Sequence, residues 1–156
     1  MVGEEPDKTP AATTGADTYR SLAVRRLGKG RYEATNVRGG TLPIGTGEDT
    51  QFTPVELLLA AIAGCASVDV DHITSKRAEP AAMVAAISGN KVRDEHGSHL
   101  VNLRVEFDVT FPEGEAGDAA RSVLQRSIEQ SRDRLCTVSR TVALESPVAM
   151  EQSGRD

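Results

Sequence analysis

Polar and apolar positions alternate most cleanly between Leu100 and Phe111. Val101, Leu103, Val105, Phe107, Val109 and Phe111 fall on one face, and Asn102, Arg104, Glu106, Asp108 and Thr110 on the other. A period of two with one wet face predicts a strand of an antiparallel sheet. Met83–Arg93 reads as its partner strand, joined to it by the polar turn 94–99. Upstream, Thr18–Arg38 carries two bursts of β-type residues around Gly28-Lys29-Gly30, which predicts a first hairpin. Gly39–Phe52 then reads as a loop, with a short strand at Thr41–Ile44. The next segment has a different pattern. Thr53-Pro54-Val55-Glu56 combines a capping box with proline at the first helical position, predicting a helix from Thr53 to about Ala78, stopped by Pro80. Asp118–Arg134 predicts a second, amphipathic helix with Ala119, Val123, Leu124, Ile128 and Leu135 as its stripe, and Thr137–Glu145 alternates enough for a last strand. Hairpin, helix, hairpin, helix, strand makes an α+β fold.

The first helix adds something the alternation does not. From Val55 to Val68 it is apolar on nearly every face, the mark of a helix buried all round. A chain of 156 residues has few ways to surround a helix, so a second copy is the expected cover and a homodimer is inferred. The length suits one domain, expected over residues 18–150, with a disordered tail over 1–17 and a frayed one over 151–156. Net charge is -5 and aromatics are 3% with no Trp, which disfavours nucleic acid and anionic lipid as partners. Leu57–Ala66 is short of the ~20 residues of a membrane span, and Asp69 and Asp71 follow it, so no membrane association is expected. Residues 1–17 lack a basic segment followed by an apolar one, and the expected location is the cytoplasm.

The candidate chemistry lies in Cys65 and Cys136, which are 71 positions apart and form no CxxC pair. Two readings of Cys65 stay open, a small buried hydrophobe or a thiolate nucleophile with Cys136 resolving it. Helical geometry puts Asp69 about 40° round from Cys65 and one turn on, where its charge raises a thiol pKa. The helix N-terminus is more than two turns away, so activation needs a cation from elsewhere. Glu56 lies on the opposite face, roughly 13 Å along the axis, and cannot touch Cys65 within one chain; completing the Thr53 cap is its simpler role. His72 reads as structural, His96 and His99 as surface residues, and no metal site, phosphate loop or serine elbow is evident.

The segment Thr53-Pro-Val-Glu-Leu-Leu-Leu-Ala-Ala-Ile-Ala-Gly-Cys65, with Leu135-Cys136-Thr-Val-Ser-Arg-Thr, resembles the two signature segments of the OsmC/Ohr family, over about Tyr19 to Val148. The resemblance implies an intertwined homodimer with antiparallel sheets wrapped around long central helices. It also implies reduction of organic hydroperoxides without cofactor, metal or flavin. Cys65 would be the peroxidatic cysteine, oxidised to a sulfenic acid, and Cys136 the resolving one, with a dithiol reductant such as a lipoyl group closing the cycle. The family places an arginine from the N-terminal region on the thiolate and a helix glutamate on that arginine. Arg25, Arg26, Arg31 and Arg38 all lie in that region; Arg38, beside Gly39-Gly40, is the preferred candidate. Glu56 is the candidate carboxylate, displaced by one residue from the organic-hydroperoxide-resistance pattern, which has its glutamate where this chain has Val55. The chain thus looks closer to the broader OsmC-like branch. The competing expectation is a non-catalytic relative that binds a small apolar ligand at the dimer interface.

Overall fold

The computed structural model describes residue 15 and residues 18–154, and the chain divides between Pro54 and Val55 into two compact units. The tail expected over 1–17 falls outside the described residues except for Gly15, as do residues 155–156.

The first unit is a three-stranded antiparallel sheet in the order β1 (Leu22–Gly28), β2 (Arg31–Asn36), β3 (Thr41–Ile44). The hairpin and the short third strand are those the sequence predicts. The β1–β2 register slips between Arg26 and Gly28, so Gly28 pairs with Arg31 across a Lys29-Gly30 turn. Asn36 builds the β2–β3 turn, because its Oδ1 accepts the N–H groups of Arg38 (2.9 Å) and Gly40 (3.0 Å). Gly39 takes the left-handed conformation (φ 85°) that this turn demands.

The second unit opens with α1 (Pro54–Thr74), then pairs β4 (Ala82–Asp94) with β5 (Gly97–Thr110), and continues into α2 (Glu115–Gln130). β5 shows the expected alternation, its Leu103, Val105, Phe107 and Val109 half-buried and the residues between them exposed. The connecting turn is tighter than expected, only Glu95-His96. Phe111, at the end of β5, is buried, worth about 1.5–3 kcal/mol in transfer terms. α2 begins three residues before the expected start. Gly117 is required there, since an added Cβ would lie 1.7 Å from the Pro112 carbonyl oxygen.

Three expectations need correction. α1 stops at Thr74 and does not run on to Ala78: the Arg77 and Ala78 N–H groups both return to the Thr74 carbonyl (3.0 and 3.2 Å), leaving the helix four residues early. Proline at 80 removes the next helical donor and holds Glu79 extended, so a turn suits this stretch better. The α2 stripe does not reach Leu135, because Ser131–Leu135 widens into a π-helical turn that shifts the phase and leaves Leu135 49% exposed. The last strand is a helix, α3 (Thr137–Ala143). Cys136 Sγ caps it by accepting the Ser139 N–H at 3.4 Å, and Thr141 Oγ1 donates to the Thr137 carbonyl at 2.7 Å.

α1 is also less enclosed than its composition implies. Ile62, Ala63, Val70 and Thr74 are buried, yet Val68 is 69% exposed and Leu58 and Val55 also face outward. At 21 residues, with an 18-residue stretch of mean hydropathy 1.5, α1 meets the length and composition of a membrane span, which the shorter run Leu57–Ala66 does not. Core helices meet the same test. Asp69 within α1 is hydrogen-bonded to protein, as in a helix packed on its own fold.

Candidate active site

α1 contributes Cys65 and Asp69, one turn apart on the same face. The π-helical turn contributes Cys136 at its end. The two Sγ atoms and an Asp69 carboxylate oxygen all lie within 4.8 Å of one another. The two cysteines that sequence separates are therefore neighbours, both with free thiols, Cys136 fully buried and Cys65 partly open. Asp69 sits beside Cys65 as helical geometry requires.

The cluster is held from two elements, the π-helical turn and α3. Ser131 Oγ, itself buried, donates to Asp69 Oδ2 at 2.8 Å, tying α1 to the π-helical turn. The Ser139 N–H of α3 points at Cys136 Sγ, and the Val138 N–H donates to Cys65. The Cys65 thiol is pushed above its ordinary value, first by burial, then by the hydrogen bond and charge of Cys136 and by the Asp69 carboxylate; the Val138 N–H opposes them. All three side chains are thus potential anions.

A cavity of about 370 Å³ adjoins the cluster, walled by Ile62 and Ala66 of α1, Val105 and Phe107 of β5, Ile128 of α2 and Val142 of α3. Ala66 follows Cys65, and Ser131 and Ser139, which also line the cavity, bond to Asp69 and Cys136. The wall is mainly aliphatic. Its one cation, Arg132, is engaged by Asp133 through Nε (2.6 Å) and Nη2 (3.0 Å).

Glu56, His72, His96 and His99 are not members of the cluster. Glu56 occupies the first turn of α1, with an exposed side chain, nine residues before Cys65. Arg38 is in the first unit, in the Asn36-locked turn, its side chain exposed. His72 lies exposed in a broad groove with Asp71 and Lys76. His96 and His99 are surface residues facing Glu95 (3.5 Å) and Asp94 (3.6 Å). Sequence reasoning missed Ser131 and the α3 amides. Val138 and Val142, four apart, were the available signal for a helix in place of the strand.

A family model described as "OsmC-like protein" matches residues 46–151. An uncharacterized protein of Mycobacterium tuberculosis is 30% identical over 132 residues, 83% of this chain and 93% of that one. Among solved structures, an OsmC-like protein of unknown function from Vibrio cholerae superposes with a TM-score of 0.67 at 12% identity, over 80% of this chain and 93% of its own. The organic hydroperoxide resistance protein OhrB of Bacillus subtilis superposes with a TM-score of 0.52 at 16% identity, over 81% and 92%. At these identities the two structures establish the fold.

Proposed function

Because the chain belongs to the family of OsmC-like proteins, we propose that it is a cysteine-based peroxidase that reduces organic hydroperoxides in oxidative-stress defence. The observation that carries this reading is the convergence of the two sulfurs within 4.8 Å beside a mainly aliphatic cavity. The Cys65 thiolate attacks the terminal peroxide oxygen. The O–O bond breaks, an S–O bond forms, and the departing alkoxide takes a proton to leave as alcohol, with Cys65 a sulfenic acid. Cys136 then attacks the Cys65 sulfur, an S–S bond forms, and hydroxide leaves with the Cys136 proton as water. A dithiol, lipoyl groups included, restores both thiols by exchange. No metal or flavin enters these steps.

The cation that favours the Cys65 thiolate is assigned to Arg38 and its orienting carboxylate to Glu56, by analogy with the family; Arg38→Ala should lower the rate of the first step. The apolar surface of α1 left open at Val55, Leu58 and Val68 supports a homodimer. We place the protein in the cytoplasm, where reducing conditions sustain thiol turnover. The test is consumption of cumene hydroperoxide by purified, reduced protein with a dithiol. Turnover should vanish in Cys65→Ser, and a rate unchanged by that substitution would falsify the proposal.

One observation favours a second reading. Burial and Asp69 both push the Cys65 thiol up, the direction expected of an inert cysteine in a protein that binds a small apolar ligand without turning it over. Rapid alkylation of Cys65 below neutral pH would exclude that reading.

A further inference from the structure

Two thiols and a carboxylate meet at one point, Cys65 and Asp69 from α1 and Cys136 from the end of the π-helical turn. We propose that Cys65, Asp69 and Cys136 of the reduced protein form a binding site for a soft divalent cation of the zinc class, with water in the fourth position. Thiolate donors select zinc or cadmium over magnesium or calcium, and one added carboxylate keeps the site within zinc's range. A tetrahedral ion with Zn–S bonds of ~2.3 Å holds its sulfurs ~3.8 Å apart. The three donor atoms, within 4.8 Å of one another, need to close by only about 1 Å, which small χ rotations supply.

The surroundings already resemble those of a ligand shell. Ser131 Oγ fixes Asp69 through Oδ2 at 2.8 Å, as ligating carboxylates are commonly fixed by an outer hydrogen bond. The Ser139 N–H at 3.4 Å from Cys136 Sγ and the Val138 N–H donor to Cys65 are bonds that a metal-bound thiolate retains. Metal binding releases the thiol protons, and the divalent cation offsets the charge that two thiolates and a carboxylate then carry. Cys65, partly exposed, leaves the ion a way in, and Cys136 is shielded behind it. This departs from the metal-free expectation of the sequence, which set the two cysteines too far apart for a zinc motif. A Cys65–Cys136 disulfide would remove two of the three donors, so the site belongs to the reduced state alone. The inference shares residues with the proposed peroxidase and does not rest on it.

The test uses the full-length, untagged chain, reduced with a phosphine and freed of metal. ZnCl2 is titrated in competition with a chromophoric chelator, and CoCl2 serves as a spectroscopic probe. The reduced chain should hold one zinc ion, unaffected by MgCl2, and Co2+ should give thiolate charge-transfer absorption in the near ultraviolet. Both signals should disappear after diamide oxidation to the disulfide. Asp69→Asn, which keeps shape and both thiols, should weaken zinc binding at least about tenfold, no less than the loss of an outer-shell partner costs. A reduced chain that holds no more zinc than the oxidised one, or an Asp69→Asn variant that binds like wild type, overturns the inference. Hydroperoxide consumption is measured separately with chelator present. Zinc binding without consumption rejects the peroxidase alone, and consumption without zinc binding rejects the metal site alone.

Discussion

Ser131→Ala tests the joint that assembles the site. Ser131 is buried, and its Oγ donates at 2.8 Å to Asp69 Oδ2, joining α1 to the π-helical turn that carries Cys136. A hydrogen bond to an ionised acceptor contributes about 1.5–3 kcal/mol. Asp69 is only half-buried, so solvent competes for its carboxylate and the lower end applies. Removing one hydroxyl leaves little empty volume, and the expected loss is about 1.5 kcal/mol, or about 3–6 °C in Tm for a chain of this size. The assay is urea unfolding of the reduced protein at fixed concentration, for wild type, Ser131→Ala, Asp69→Ala and the double variant. The coupling energy of that cycle should be about 1–1.5 kcal/mol, with the m-value unchanged. A coupling near zero, or a Ser131→Ala cost below about 0.5 kcal/mol, would refute the idea that this bond holds the cluster together.

Three further outcomes are expected. Oxidation with diamide should give an intrachain Cys65–Cys136 disulfide, seen by peptide mapping, since the sulfurs start within 4.8 Å; a disulfide between chains contradicts the geometry. Asp69→Asn removes a negative charge that disfavours the Cys65 thiolate, so the rate of iodoacetamide alkylation against pH should move to lower pH, and a shift to higher pH would reverse the assigned sign. Gly117→Ala should cost about 2–4 kcal/mol in chemical unfolding, because its Cβ would lie 1.7 Å from the Pro112 carbonyl oxygen and the backbone must move.

Local rules succeeded where one signal dominated. The period-two face of β5, the glycine turn of the first hairpin and the proline start of α1 were all legible, and Asp69 was placed beside Cys65 by helical spacing alone. The region after Gln130 was not legible. Thr137–Ala143 mixes β-branched residues at a spacing that fits either period, and the helix it forms is capped by the cysteine itself. The π-helical turn has no comparable sequence mark, and it shifts Leu135 off the α2 stripe as the chain reaches Cys136. The meeting of Cys65 with Cys136 is a tertiary fact, invisible in spacing. The resemblance to a family with two paired cysteines supplied it, and the geometry then gave it physical content.

The central claim is that Cys65 and Cys136 act as one redox couple on a hydroperoxide. The most direct measurement adds cumene hydroperoxide to the reduced chain in equimolar amount, without any reductant, and follows thiols, intact mass and cumyl alcohol together. The account predicts loss of both thiols, a mass lower by two hydrogens, and one alcohol formed per disulfide, with Cys136→Ser instead accumulating a dimedone-trappable sulfenic acid at Cys65. Both thiols remaining free while the hydroperoxide persists would contradict it.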